Sequence, residues 1–264
     1  MARPLAAPRR APVREAPRVG DNRGVSEEIA PILTDAEADP EVVGVLLKGS
    51  RAVGTDDADS DWDVVVVLRD GSPSHRKEGA VDVLRTTLAR VRAAPAYELP
   101  AIAHARVLLD KTGEVGKAVE DAARIGRGEL AELYDGYLND FYRSLKAWTR
   151  GRELAARLKA ARSMWWLGDF LLGLDGRRAP YPGAWEGRLG DLEPLILDVL
   201  RTGDPGRQQA LQAKVERIAT ARGFRDVYDS WTDGEIDRAM ALRFDERNER
   251  AAGVVGRRSR TCAT

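Results

Sequence analysis

Residues 45–68 read VLLKGSRAVGTDDADSDWDVVVVL, and the fold turns on how they are read. An apolar run ends at Gly49-Ser50, a polar loop follows, and a second apolar run opens on Asp61-Trp62-Asp63. Continuous Val- and Leu-rich runs of this length are the pattern of strands buried on both faces. Val42–Leu47 and Trp62–Leu68 are therefore read as strands. On a strand, residues two apart share a face, so Asp61 and Asp63 point together and Trp62 points away. Two carboxylates so placed cannot both ionise without a large penalty unless a cation joins them. Mg2+ is the natural partner, because it takes hard oxygen ligands from one or two carboxylates and from substrate phosphates.

The residues just upstream fit that chemistry. Gly49 lets backbone approach a ligand closely, and Ser50 offers a hydroxyl and an amide to a phosphate oxygen. Arg51 adds a charge that cannot be lost, and Gly54 permits the turn into the second strand. The stretch reads as a phosphate cradle joined to a two-carboxylate metal site, the combination that stabilises charge in phosphoryl or nucleotidyl transfer.

The rest of the chain bounds this reading. Its 264 residues are enough for one large or two modest domains. Lys and Arg total 42, as do Asp and Glu, so net charge points to neither a nucleic-acid nor an acidic-surface partner. A single cysteine, Cys262, excludes a disulfide framework and a cysteine zinc site, and two histidines, His75 and His104, exclude a histidine-rich metal site. No apolar run approaches the ~18 residues of a membrane span. The basic N-terminus (Arg3, Arg9, Arg10, Arg14) is not followed by the apolar stretch of a secretory signal, so a cytoplasmic protein is expected.

Four segments are expected. Residues 1–23, rich in Pro, Arg and Ala without periodicity, read as a disordered tail. Residues 24–113 read as a small α/β domain. It would open with a helix over 25–38 capped by Ser26, with Pro31 as a contrary signal, and close with a strand over Ile102–Leu109 that includes His104. Residues 70–100 admit two readings: one helix over 77–92 through Val81, Leu84, Leu88 and Val91, or a short strand at Val81-Asp82-Val83 with Thr86 or Thr87 capping a helix. Residues 114–249 are helical throughout, and 250–264 form a second frayed tail. Leu130, Leu133, Tyr134, Tyr137, Leu138, Phe141, Leu145 and Trp148 mark one long helix, ended by Gly151. Leu154, Leu158, Ala161, Trp165 and Leu172 mark the next. The loop at residues 177–185 is either a cleft lining or a connection. Asp204-Pro205 reads as an N-cap and first turn, and Thr232 with Glu235 has capping-box spacing. Tyr134, Tyr137, Phe141, Trp165 and Trp166 are assigned to the core, and His75 to an exposed loop.

Gly49-Ser50, then Arg51 and Gly54, then Ser60-Asp61-Trp62-Asp63 followed by valines, resembles the signature of the DNA polymerase β-type nucleotidyltransferase superfamily. The form resembles its small bacterial branch, which includes the aminoglycoside nucleotidyltransferases and the minimal nucleotidyltransferases of toxin–antitoxin pairs. The resemblance implies a nucleotidyltransferase-fold domain with a small mixed sheet, followed by an all-α helical-bundle domain that binds substrate. It implies that Asp61 and Asp63 hold Mg2+, and that Gly49, Ser50 and Arg51 bind the triphosphate of an incoming NTP. A third acid on a neighbouring strand usually activates the attacking hydroxyl, and Asp82 is the candidate. Arg143 and Lys146, three apart on one helix face, read from spacing as a solvated face, whereas the resemblance offers Lys146 as a phosphate-contacting cation.

The activity so implied is transfer of a nucleoside monophosphate, AMP from ATP, to a hydroxyl of a small acceptor such as an aminoglycoside-like antibiotic. Two alternatives stand beside it. One is an antitoxin-like adenylyltransferase acting on a protein partner. The other is a nucleotide- or partner-binding module that has lost transfer. A nucleic-acid partner is not expected, because the helical half carries no cluster of basic residues interleaved with aromatics.

Overall fold

The computed structural model describes residues 27–244. The two expected tails and the expected cap Ser26 lie outside the described residues. Helix α1 (Ala30–Ala38) starts five residues later than Val25, with Pro31 in its first turn, where a missing N–H leaves no helical bond unmade. Then come β1 (Val42–Lys48), α2 (Gly49–Val53), β2 (Trp62–Leu68), β3 (Ser74–Glu78) and β4 (Val81–Thr87). After them lie α3 (Leu88–Arg92), α4 (Leu99–Ala103), β5 (Arg106–Asp110) and α5 (Glu114–Ala123).

The five strands form one mixed sheet in the order β3-β4-β2-β1-β5. β2 and β4 are parallel, and the other neighbours are antiparallel. The Val-rich strands β1 and β2 are buried on both faces, as their composition predicts. One face packs Val45, Leu47, Val64 and Val66 against Ile29, Leu33 and Ala36. The other packs Leu46, Val65 and Val67 against Leu88, Val91, Ile102, Val115 and Val119. Asp63 has the parity of Val65 and Val67, so it stands at the end of this second face.

Of the two readings of residues 70–100, the single helix over 77–92 fails and the strand with a threonine cap holds: Val81–Thr87 is a strand, and Thr87 accepts a hydrogen bond from the Arg90 amide to cap α3. Ile102–Leu109 is not one strand: Ile102 and Ala103 end α4, His104 follows as its C-cap, and the strand starts at Arg106. β3 was not expected at all. Its sequence, Ser-His-Arg-Lys-Glu, is fully exposed and carries no apolar alternation.

The long helices α6 (Arg127–Trp148) and α7 (Glu153–Gly173) follow, then α8 (Glu193–Thr202), α9 (Pro205–Ala221), α10 (Arg225–Asp229) and α11 (Glu235–Ala241). By compactness the described residues divide into two units. One holds everything up to Leu130 together with Gly168–Gly190, and the other holds Ala131–Leu167 and the residues from Asp191 onward. Asp204 caps α9 as expected, its carboxylate accepting from the Arg207 amide at 2.7 Å. Glu235 is the first residue of α11, directly after Gly234, and not the third as a capping box requires.

In the first unit, the segment over residues 177–185 is tied down at several points. Arg178 Nε donates to the Ala122 carbonyl and Nη2 to Glu129, while His104 Nε2 donates to the Arg178 carbonyl at 2.8 Å. Trp185 Nε1 closes the turn on the Pro180 carbonyl. Burial pushes the His104 ring pKa down, which fits a neutral structural tether.

In the second unit, Tyr134, Tyr137 and Phe141 are buried and stacked along α6. The helix at residues 153–173 is confirmed, and it buries Met164, Leu167 and Phe170 but not three of the large apolar residues that mark it in the sequence. Leu154, Leu158 and Trp165 are 74%, 63% and 54% exposed, whereas Ala156, Ala160 and Ser163 are buried. Small residues let the helices approach closely, and Ser144 Oγ of α6 donates to the Ala156 carbonyl at 2.8 Å. Trp166 is half-buried, its indole donating to Asp140.

Asp140 is a fully buried carboxylate held by Arg162 through both oxygens, by Lys159 at 3.2 Å and by Trp166 Nε1 at 3.2 Å. Burial opposes its ionisation, but the two cations outweigh burial and hold its carboxyl below the usual range. The stability it confers is therefore present above the unfolded pKa of about 3.8 and is lost only as pH falls through a still lower value. Replacing both cations, in Lys159→Met/Arg162→Met, leaves a buried charge unpaired. We expect a loss of about 3–5 kcal/mol in urea unfolding at neutral pH, shrinking when the denaturation is repeated at acid pH.

Candidate functional site

The strand register builds the site. Lys48 of β1 lies opposite Asp63 of β2, Asp63 opposite Asp82 of β4, and Asp82 opposite Lys77 of β3. Directly opposed residues share a face, so Lys48, Asp63, Asp82 and Lys77 form a single rung across four strands. Asp61, two residues before Asp63, joins the same side. One carboxylate oxygen from each of Asp61, Asp63 and Asp82 lies within 4.8 Å of the others, and all three residues are half-buried.

Each carboxylate has its own surroundings. Asp61 Oδ2 accepts from Lys77 Nζ at 2.8 Å, and this contact holds its carboxyl below the usual range. Asp82 Oδ1 accepts from His75 Nε2 at 2.5 Å. The Asp63 carboxylate has no hydrogen-bonded or ion-pair partner among the described residues. Burial, and then the Asp61 charge, push its carboxyl above the usual range, with Asp82 adding to the effect and Lys48 opposing it.

The Gly49–Val53 turn abuts this cluster. Gly49 has φ +71°, and a Cβ there would lie 2.1 Å from Asp63 Oδ2. The glycine of the Gly-Ser pair is thus required by the aspartate that sits against it. Ser50 is half-buried, and its hydroxyl has no hydrogen-bond partner among the described residues. Gly54, at φ +74°, ends the turn, with its amide on the Ser50 carbonyl.

Arg51 is engaged within the loop. Its Nη2 donates to the Ser60 carbonyl at 2.6 Å and its Nε to the Asp61 carbonyl at 3.1 Å. Its Nη1 pairs with Asp56 at 3.3 Å, and its plane lies 4.3 Å from the centre of the Trp62 ring. The guanidinium pins the backbone that carries Asp61, using the face of Trp62 that β alternation turns away from the carboxylates. Thr55, in the same loop, is hydrogen-bonded to Tyr181 at 3.1 Å.

The structure therefore brings together Asp61, Asp63, Asp82, Gly49 and Ser50. Lys146 lies in the other unit, exposed, with Nζ against the hydroxyl and ring of Tyr142. Lys77 and His75 were missed by sequence reasoning. A signal for them existed: two basic residues two apart, then Gly79-Ala80, then Val81-Asp82-Val83, a hairpin order that sets both on the face of Asp82.

No family model matches the sequence, and neither does any curated protein. Among solved structures, the chain aligns with a nucleotidyltransferase-like protein from Exiguobacterium sibiricum. The alignment has 12% sequence identity and a TM-score of 0.41, and covers 87% of this chain and 77% of that one.

Two outcomes test the geometry. Gly49→Ala places a methyl group on the Asp63 carboxylate at a positive φ, so we expect destabilisation of about 1–3 kcal/mol by chemical denaturation. Asp63→Asn and Asp61→Asn should move metal-free thermal stability in opposite directions at neutral pH. Asp63 has a raised folded pKa, so its ionised form opposes folding, and Asp63→Asn should raise the melting temperature. That gain should be absent below the unfolded pKa of about 3.8 and complete above the folded one. Asp61→Asn loses the Lys77 pair and should lower stability by at most about 1 kcal/mol, since the pair is exposed.

Proposed function

We propose that this protein is a Mg2+-dependent nucleotidyltransferase that moves AMP from ATP onto a hydroxyl of a small acceptor of the aminoglycoside kind. The observation that carries this reading is the convergence of Asp61, Asp63 and Asp82 within 4.8 Å beside the Gly49-Ser50 turn. The donor set fits the metal: three carboxylate oxygens are hard ligands, and the central one, on Asp63, lacks a partner among the described residues. Asp61 and Asp63 would hold Mg2+, which when bound supplies charge neutralisation for the triphosphate and its transition state.

The chain's own groups account for the remaining steps. The Ser50 hydroxyl and the amides of the turn bind outer phosphate oxygens, and Gly49 keeps that turn clear of side chain. Arg51 acts through the loop, fixing the Ser60 and Asp61 carbonyls and with them the position of the Asp61 carboxylate. Asp82, oriented by His75 Nε2, accepts the proton of the acceptor hydroxyl. The acceptor oxygen then bonds to the α-phosphorus, the bond from that phosphorus to the bridging oxygen breaks, and pyrophosphate leaves. The non-catalytic alternative drew its support from a doubtful third carboxylate. The register of Asp82 with Asp63 supports the catalytic reading over it.

The test is a thermal-shift measurement with ATP, with and without Mg2+, followed by pyrophosphate release over a panel of hydroxyl acceptors. ATP at about 100 times its dissociation constant should add ~2.7 kcal/mol of stability, only with Mg2+, and not in Asp61→Asn or Asp63→Asn. Asp82→Asn should keep much of the shift and lose turnover by about 100-fold or more. A wild type that shows no Mg2+-dependent shift with any NTP would sink the proposal.

A further inference from the structure

β3 presents an arrangement that core packing does not explain. Its five residues are all exposed, so no apolar burial selects them. Yet two of them, His75 and Lys77, share the face of the acid cluster and engage two different members of it, Asp82 and Asp61. Lys77 Nζ lies 2.8 Å from Asp61 Oδ2. It is thus already placed on a carboxylate that the proposed function assigns to a divalent cation.

Both cations cannot keep that place together. A metal ion bound at about 2.1 Å from an Asp61 oxygen would stand within a few ångströms of the ammonium, and the two positive charges repel strongly at that range. The ammonium is the one that can move, because it rides on a flexible four-carbon stem and holds Asp61 as a point charge without a bidentate fork. When it leaves, the nearest large anion in a loaded site is the polyphosphate.

We propose that Lys77 is an exchangeable counter-ion of the site: it neutralises Asp61 in the metal-free protein, a divalent cation displaces it, and the displaced ammonium then binds the nucleotide's phosphates. The proposal rests on the metal–nucleotide reading above and deepens it by assigning a residue that the sequence motif does not contain. It makes an unusual demand on one side chain: removing Lys77 must strengthen metal binding and weaken nucleotide binding. A residue that merely supports the fold would move both in one direction.

The experiment is calorimetric titration of the 264-residue chain with Mn2+ alone, then with ATP at saturating Mg2+. Wild type, Lys77→Met, Lys77→Arg and Asp63→Asn are compared. Lys77→Met should bind Mn2+ roughly two- to tenfold more tightly, the range expected for losing one competing surface charge, and should bind ATP more weakly by a similar factor. Lys77→Arg, which can fork onto Asp61, should bind Mn2+ no more tightly than wild type. Lys77 is half-exposed on an edge strand, and circular dichroism would show that the variants fold. Mn2+ binding that is lost in Asp63→Asn but unchanged or weaker in Lys77→Met overturns the counter-ion role and leaves the metal site standing. An ATP affinity unchanged in Lys77→Met overturns the phosphate contact. No Mn2+ binding by any form overturns the metal reading, and this inference with it.

Discussion

Repulsion among Asp61, Asp63 and Asp82 is the constraint around which the first unit is arranged. Three carboxylate oxygens within 4.8 Å need compensation, and the sheet distributes it unevenly. Two are met from one edge strand, Asp61 by the Lys77 ammonium and Asp82 by a hydrogen bond from His75. The remaining one, Asp63, is favoured by the charges of Lys48 and Lys77, and burial works against it. The same carboxylate presses on Gly49, so the backbone of the Gly-Ser turn is shaped by the residue with the greatest need for a cation.

Asp140 in the second unit shows what the alternative looks like. It is more deeply buried than Asp63, yet its carboxyl is held below the usual range, because Arg162, Lys159 and the Trp166 indole all converge on it. One buried carboxylate has been given every partner it needs and serves the packing of α6 and α7. The other has been left short of partners beside the Gly49–Val53 turn. Perturbation of that second kind marks sites of chemistry more often than sites of structure.

The parts of this site that could be read from sequence are those whose geometry is local. Strand alternation alone puts Asp61 and Asp63 on one face with Trp62 on the other. Asp82 was harder to read, because its place depends on a parallel β2–β4 pairing between segments about twenty residues apart, and residues 77–92 carry helical spacing as well as strand composition. β3 was invisible, since an edge strand with every residue exposed has no apolar alternation to betray it. Arg51 was read as a phosphate ligand from its place beside Ser50. Its engagement with Ser60, Asp61 and Trp62 depends on how the loop closes, which no spacing rule encodes.

The same division holds for the helices. Period and caps located α6, α7 and α9, because helical hydrogen bonding repeats every few residues and leaves its trace in the chain itself. Which face of α7 is buried was decided elsewhere: Ala156, Ala160, Met164, Leu167 and Phe170 are buried, and Leu154, Leu158 and Trp165 are exposed. The sequence by itself determined a mixed sheet followed by helices, and a Gly-Ser turn set against paired aspartates, because those features follow from contacts between near neighbours. Only the tertiary structure decided the place of Asp82 beside Asp61 and Asp63, the basic edge strand next to it and the binding of Arg51 to its own loop. Each of these depends on which strands or loop segments lie side by side, and that is fixed by packing across the sheet and not by the order of residues along any one strand.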